Sequence, residues 1–194
     1  MGGFTEGRFN RWEQKIVKPG KRKQHALTIV LFAVYLLLLV GVILFKLPFN
    51  FELSDGVRVI NLIPFQGASG ANGSIVLREI IENILLFIPL GIYICMLKSE
   101  WSFAKKVLPI VGSSLAFEVI QFIFALGRSD ITDILDNTLG GLIGVALYAL
   151  LFKIFKSRTV KIVDILALVL TVCILLYFAY LFYHSHFGMR QLST

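Results

Sequence analysis

The feature that most constrains this chain is a pair of long apolar stretches without a charged residue, residues 26–45 and 165–183. As an α-helix, about 20 residues measure roughly 30 Å, which is the thickness of the hydrocarbon core of a bilayer. The first stretch is too long for the apolar region of a cleaved signal peptide, and no small-residue cleavage site follows it. We therefore expect both stretches to be membrane spans.

Three further apolar segments, residues 79–97, 107–126 and 133–152, are interrupted by polar side chains. The whole chain is 57% hydrophobic, with a mean hydropathy of +0.80, whereas soluble domains are roughly 45–50% apolar. This composition predicts an all-α, polytopic membrane protein with five transmembrane helices.

Basic residues are divided unequally between the two sides of the predicted membrane. Fourteen of the 19 Lys and Arg residues lie before the first helix, after the second and after the fourth, and five lie on the other side. The positive-inside rule then predicts a cytoplasmic N-terminus, an extracellular C-terminus and a multi-pass protein of the cell membrane. The net charge of +7 reflects this topology and contact with anionic membrane lipids, and no nucleic-acid-binding motif is seen.

This topology divides the chain into three parts. Residues 1–25 form a basic cytoplasmic segment, either an interfacial amphipathic helix or a disordered tail. Residues 26–152 form a four-helix membrane core with an outer loop at 46–78. Residues 153–194 contain a basic cytoplasmic loop, the fifth transmembrane helix and a short outer tail.

The outer loop 46–78 has two local signals. Asp55 and Gly56 stand between two apolar runs, which predicts a β-hairpin turn. Residues 67–74 are rich in Gly, Ala and Ser, and no Gly-Lys-Ser/Thr follows them, so we expect a flexible linker and no nucleotide cofactor.

Polar residues from distant parts of the chain are predicted to meet at the outer face of the membrane, because the second and fourth helices begin there and the third ends there. The residues that the topology brings to this face are Arg78, Glu82, Asn83, Glu118, Gln121, Arg128, Asp130, Asp133 and Asn137. Ionisable groups inside a membrane are functional candidates by default. We expect them to form one outward-opening polar site.

Helical spacing suggests how the site is assembled. Asp133, Asn137, Gly140 and Gly144 lie on one face of the fourth helix, and the two glycines would allow a neighbouring helix to approach closely. That approach would place Asp133 and Asn137 against a neighbour that carries Glu118 or Glu82. Pro89 interrupts the second helix, where a kink would shape a cavity.

The outer cluster, with Glu79 and Asp136 included, has six acids and only two arginines. The remaining charge is balanced by protonation of the deeper acids, by a metal ion, by a cationic ligand or by solvation of the shallow acids, and the sequence leaves these alternatives open. It also leaves open purely structural roles. Asp130 would cap the fourth helix, and Glu118, Gln121 and Asn137 would form interhelical hydrogen bonds.

Four motifs in this order resemble the VanZ-like family of bacterial membrane proteins. They are N-L-I-P-F (61–65), E-N-I-L-L-F-I-P-L-G (82–91), F-E-V-I-Q-F (117–122) and G-R-S-D-I-T-D-I-L-D-N-T-L-G-G-L-I-G (127–144). The resemblance adds Asn61 to the candidate binding residues and implies an association with resistance to teicoplanin more than to vancomycin.

Two classes of function follow. In the first, the outer site binds the acyl chain of teicoplanin or perturbs its anchoring near the cell-wall precursor, and neither metal nor cofactor is needed. In the second, the protein is an enzyme acting on a lipid-linked or cell-wall substrate. Glu118, Asp130 and Asp133 would hold Mg²⁺ or Mn²⁺ with Arg128 on a phosphate, or Glu118 or Asp133 would act as general acid or base. A small transporter is a third alternative, which the lack of an internal repeat disfavours.

Overall fold

The computed structural model describes residues 19–45, 59–65, 73–126 and 128–188. These residues form five α-helices: α1 (Pro19–Phe45), α2 (Gly73–Leu97), α3 (Phe103–Phe124), α4 (Ile131–Phe155) and α5 (Thr159–Gly188). A 3₁₀ turn, Lys156–Arg158, joins α4 to α5. Two three-residue strands, β1 (Val59–Asn61) and β2 (Arg128–Asp130), complete the described secondary structure.

Four helical segments are long and apolar enough to cross a membrane: Lys23–Leu44, Ser74–Leu97, Phe103–Phe124 and Ile131–Leu181. They agree with the prediction of an all-α, polytopic membrane protein. The last segment contains 51 residues and includes the 3₁₀ turn, where Lys156 has a φ of 50°. Positive φ is incompatible with a regular right-handed helix, so α4 ends there.

All five described helices begin before the spans predicted from the sequence, and α1 and α2 reach well into neighbouring segments. α1 begins at Pro19, inside the predicted basic segment, and α2 begins at Gly73, inside the predicted outer loop. The apolar pattern marks only the part of a helix that suits lipid, whereas Lys, Arg, Gln and Glu are also good helix formers. Arg78, Glu79 and Glu82 therefore lie on α2.

The chain divides into two compact units, Ala33–Thr159 and Met1–Phe32 with Val160–Thr194. In the first unit, α2 and α4 pack backbone to backbone. A Cβ atom on Gly140 would collide with the carbonyl oxygen of Ile84, and one on Gly144 would collide with that of Ile88. The prediction that these glycines allow close helix approach is confirmed.

Phe87 and Pro89 lie in the middle of α2. The side chain of Phe87 is fully buried and packs edge-on against Phe117 of α3, with 6.2 Å between ring centroids and 83° between ring planes. Residues on both sides of Pro89 belong to the same helix. The kink at Pro89 stays a prediction.

The two strands form a small parallel sheet with the register Val59↔Arg128, Ile60↔Ser129 and Asn61↔Asp130. The predicted hairpin turn at Asp55 and Gly56 lies outside the described residues. The pairing described for β1 is with a segment almost 70 residues later in the chain, and it sets Asn61 beside the start of α4.

The second unit has a polar contact of its own between α1 and α5. The Thr28 hydroxyl lies 3.0 Å from each carboxylate oxygen of Asp164 and 3.1 Å from the carbonyl oxygen of Gln24. Both side chains are almost completely buried. This contact was not predicted from the sequence, because Asp164 directly precedes the uncharged run 165–183.

Candidate functional site

Glu118 on α3 is the centre of the polar cluster. The chain leaves α3 through Ala125, which has a φ of 52°, and the Leu126 N–H donates to the carbonyl oxygen of Gln121 at 2.9 Å. This reversal brings β2 back against the helix. The backbone N–H of Asp130 then donates to Glu118 Oε2 at 2.8 Å, and the Ser129 hydroxyl donates to the Glu118 carbonyl oxygen at 3.0 Å.

Asp130 links this turn to the start of α4 and to β1. Its Oδ1 accepts the backbone N–H of Thr132 at 2.9 Å, which is an N-cap interaction. Its Oδ2 accepts a bond from Asn61 Nδ2 at 2.8 Å. The predicted capping role of Asp130 is thus confirmed, and the same carboxylate also joins two distant segments.

The N-L-I-P-F motif has a clear structural role. Its first residue, Asn61, bonds to Asp130, and the backbone N–H of its last residue, Phe65, donates to the Thr132 hydroxyl at 3.0 Å. Phe65 has a φ of 58°, a conformation that is uncommon for a bulky side chain and is often found at functional sites. The motif therefore folds over the first turn of α4.

Three other predicted residues form separate contacts between helices. Asn83 of α2 donates to Asp133 Oδ1 at 2.9 Å. Asn137 donates to the Ser114 hydroxyl of α3 at 3.0 Å. Gln121 donates to the carbonyl oxygen of Ile43 in α1 at 3.2 Å. Gln121 and Asn137 therefore have the purely structural role that the sequence left open, because both form hydrogen bonds between helices.

Asp133 and Asn137 lie against the two helices that carry Glu82 and Glu118, as the spacing predicted. Their hydrogen-bond partners are Asn83 and Ser114, because the glycine contacts set α4 against the face of α2 that presents Asn83. Glu82 instead pairs with Arg78 along α2, at 2.6 Å, with 61% of the Arg78 side chain and 46% of the Glu82 side chain exposed. Arg128 contributes its backbone to β2, and its side chain lies outside what the structure describes.

Several buried polar residues were missed by the sequence reasoning. Ser114, Ser129, Thr132 and Asp136 are all buried. Ser114 was identifiable in principle, since it lies one helical turn before Glu118 on the same face of α3. Asp136 was counted among the outer acids but not among the candidate binding residues, yet only 3% of it is exposed.

Three buried acceptor atoms have no hydrogen-bond partner within the described part of the chain: Gln121 Oε1, Asp136 Oδ2 and Asn137 Oδ1.

The carboxylates of the site do not form a metal-binding group. No group of three or more His, Cys, Asp or Glu residues among those described could hold a metal ion. Glu118, Asp130 and Asp133 each accept hydrogen bonds from different donors.

A groove of about 300 Å³ lies beside the cluster. Leu115, Val119 and Phe122 line it from α3, and Ile131 and Ile134 line it from α4. Residues of the β1 segment complete the lining. The α3 residues recur at helical spacing along one side of the helix, so the groove runs beside a helix that is long and apolar enough to span a membrane.

Polar residues share the lining of this groove. They are Asn61, Glu118, Ser129 and Asp130, the residues already joined by the hydrogen bonds around Glu118 and Asp130. The site therefore combines two buried carboxylates, Glu118 and Asp130, each of which accepts hydrogen bonds from other groups, with an apolar groove. This is the amphiphilic character expected of a site for a lipid-bearing ligand.

Known proteins match the chain over this region. Residues 32–156 match the model of the VanZ/LLP1 family, and this range includes all four motifs. The chain is 37% identical to Protein VanZ of Enterococcus faecium over 150 residues, which cover 76% of this chain and 89% of that protein. No solved structure matches it significantly. The chain belongs to the VanZ/LLP1 family.

Proposed function

We propose that this protein protects the cell against teicoplanin and related lipid-bearing glycopeptides by lowering their binding or anchoring at the cell surface. The observation that carries the proposal is the apolar groove that shares its lining with the buried Glu118–Asp130 pair. Family membership supports it, since the VanZ-like family is associated with teicoplanin resistance. Teicoplanin differs from vancomycin chiefly by an acyl chain, and an amphiphilic site within a membrane is suited to such a chain.

The proposal includes five membrane spans. A single helix of 51 residues would measure about 77 Å, more than twice the thickness of a bilayer core. The interruption at Lys156–Arg158 supports two spans, one in α4 and one in α5. With the N-terminus in the cytoplasm of a bacterial cell, β1, β2 and the first turn of α4 lie at the outer surface, where the antibiotic acts.

The enzyme hypothesis has less support from the geometry. Its metal-assisted form requires Glu118, Asp130 and Asp133 to converge on one metal ion, whereas each of them accepts hydrogen bonds from a different part of the described chain. Carboxylates arranged in this way stabilise a fold and orient a site, which favours binding over chemistry.

The test is a comparison of antibiotics in a sensitive Gram-positive host that has no other resistance genes. Expression of the chain should raise the inhibitory concentration of teicoplanin and leave those of vancomycin and deacylated teicoplanin unchanged. Equal protection against all three would refute a role for the acyl chain. No protection against any of them would refute the proposed function.

A further inference from the structure

The end of the membrane core opposite to the candidate site carries a second feature, which the proposed function does not use. Gly140 of α4 packs on the backbone of Ile84 in α2, and Gly144 packs on that of Ile88. The two helices therefore run side by side in the same direction, and the same offset places the end of α2 level with Lys153 of α4. The turns that follow α2 and α4 thus lie at one end of the core.

These two turns and the adjoining helix ends form a basic patch. Within residues 98–106 and 153–158 the one acid is Glu100, and the cations are Lys98, Lys105, Lys106, Lys153, Lys156 and Arg158. No ion pair joins any of these cations to an acid among the described residues. The patch therefore holds an excess of positive charge that an anionic ligand can neutralise.

Two lysines of the patch are held by neighbouring groups of the same turn. Lys106 is half-buried, and its Nζ donates to the carbonyl oxygen of Ser99 at 3.2 Å. Nζ of Lys98 lies 5.5 Å from the centre of the Trp101 ring, within the range of a cation–π interaction. An ammonium group has three N–H donors, so both lysines retain donors for an anion. Because their side chains are already restrained, less conformational freedom is lost when an anion binds.

The backbone at Lys156 also indicates a role for its side chain. Lys156 has a φ of 50° and a ψ of −121°, a conformation that glycine adopts without strain and that other residues rarely adopt. Residues in such conformations are concentrated at functional sites. The turn alone would be served better by glycine, so the lysine contributes something that the turn does not require.

Apolar side chains stand among the cations on both helices. Phe103 at the start of α3 is 64% exposed, and Ile154 near the end of α4 is 60% exposed. A helix end with this mixture suits the boundary between lipid chains and water. A soluble anion would match only the cations, whereas a ligand with an anionic head group and apolar chains would match both sets of residues.

We infer that this basic patch is a head-group site for an anionic phospholipid, whose phosphate accepts hydrogen bonds from Lys98 and Lys106 and is attracted by the cations at the end of α4. The site is distinct from the general attraction of a basic protein to an anionic membrane, because it depends on particular lysines and not on net charge. It also lies apart from the antibiotic site, and the proposed topology is needed only to place it in the inner leaflet.

The test uses purified protein in a neutral detergent and native mass spectrometry. The probes are phosphatidylglycerol and phosphatidylcholine with the same acyl chains, and inorganic phosphate is the competitor. Phosphatidylglycerol should be retained at roughly tenfold lower concentration than phosphatidylcholine, and an equal concentration of inorganic phosphate should not displace it. Equal retention of the two lipids would overturn the inference, and displacement by inorganic phosphate would overturn the assignment to a lipid.

Two charge-matched variants separate a site from net charge. Lys98→Gln/Lys106→Gln removes the two proposed donors, and Lys23→Gln/Lys161→Gln removes the same charge from exposed lysines of α1 and α5 outside the patch. A hydrogen bond to a charged group contributes about tenfold in affinity, so the first variant should bind phosphatidylglycerol at least about tenfold more weakly. The second should change binding less than about twofold.

An equal loss of phosphatidylglycerol in the two variants would overturn the inference and show attraction by net charge alone. Melting temperatures without added lipid provide the folding control, and they should agree for both variants and the unmodified protein because none of the four lysines is buried. Lys156→Gly gives an independent arm. It removes one cation and relieves the backbone strain, so it should weaken phosphatidylglycerol binding while raising the melting temperature, and unchanged binding would contradict a role for this lysine.

Discussion

Replacement of Gly140 by alanine tests the close packing that positions the candidate site. A Cβ atom at this position would lie 2.9 Å from Cα and C of Ile84 and closer still to its carbonyl oxygen. Ordinary contact begins near 3.4 Å, and the carbonyl oxygen is the closest atom, so α2 and α4 would have to separate by about an ångström. Overpacking of this kind costs roughly 1–3 kcal/mol.

The control is Gly112→Ala on α3, where a Cβ atom would meet no other atom within 4 Å. Both substitutions gain about 1 kcal/mol of intrinsic helix propensity, so the difference between the two variants isolates the collision. We expect Gly140→Ala to be about 1–3 kcal/mol less stable than Gly112→Ala. For a chain of this size, each kcal/mol corresponds to roughly 2–4 °C in melting temperature.

The assay is thermal unfolding in detergent with a dye that fluoresces on reaction with a thiol. Cys95 on α2 is buried and Cys173 is exposed, so Cys173→Ala in every variant makes Cys95 the reporter. Equal melting temperatures for Gly140→Ala and Gly112→Ala would refute the backbone contact between α2 and α4 and, with it, the alignment of Asp133 with Asn83.

Three further predictions concern polar contacts and topology. Asp130→Ala removes both the cap of α4 and the acceptor for Asn61, and should cost roughly 1–2 kcal/mol. Asp130→Asn keeps the cap and loses only the bond from Asn61, so it should cost less, and equal melting temperatures of the two variants would contradict this. Thr28→Val removes one of the donors to the buried Asp164 carboxylate and should destabilise by roughly 1–3 kcal/mol. The addition of Asp164→Leu should recover part of the loss, and a further loss would contradict the contact. In a background without the native cysteines, Ile63→Cys should react with an impermeant thiol reagent in intact cells and Glu100→Cys only after permeabilisation, and the reverse would refute the topology.

The helices of the membrane core were predictable because lipid imposes a long apolar pattern on any helix that crosses it. The glycine spacing on α4 was predictable for a similar reason, since residues four apart share a helical face. Gly140 and Gly144 therefore indicated a close neighbour before the neighbour was known to be α2. Capping of α4 by Asp130 followed from local sequence alone.

Contacts between residues that are far apart in the chain were not predictable in the same way. Spacing shows which residues share a face but not which residue of the neighbouring helix lies opposite, so the contacts of Asp133 with Asn83 and of Asn137 with Ser114 were not predicted. The parallel pairing of β1 with β2 joins segments that no local pattern connects. The contact between Thr28 and Asp164 was missed because both residues stand at the borders of apolar runs, where a polar residue is ordinary.

Two acid substitutions in the susceptibility assay test whether Glu118 and the groove form the functional site. Glu118→Ala removes the buried carboxylate beside the groove, and Glu82→Ala removes an exposed carboxylate that pairs only along α2 in the described structure. At equal membrane levels, Glu118→Ala should abolish protection against teicoplanin, Glu82→Ala should retain it, and vancomycin susceptibility should not change. Full teicoplanin protection with Glu118→Ala would contradict the assignment of this site.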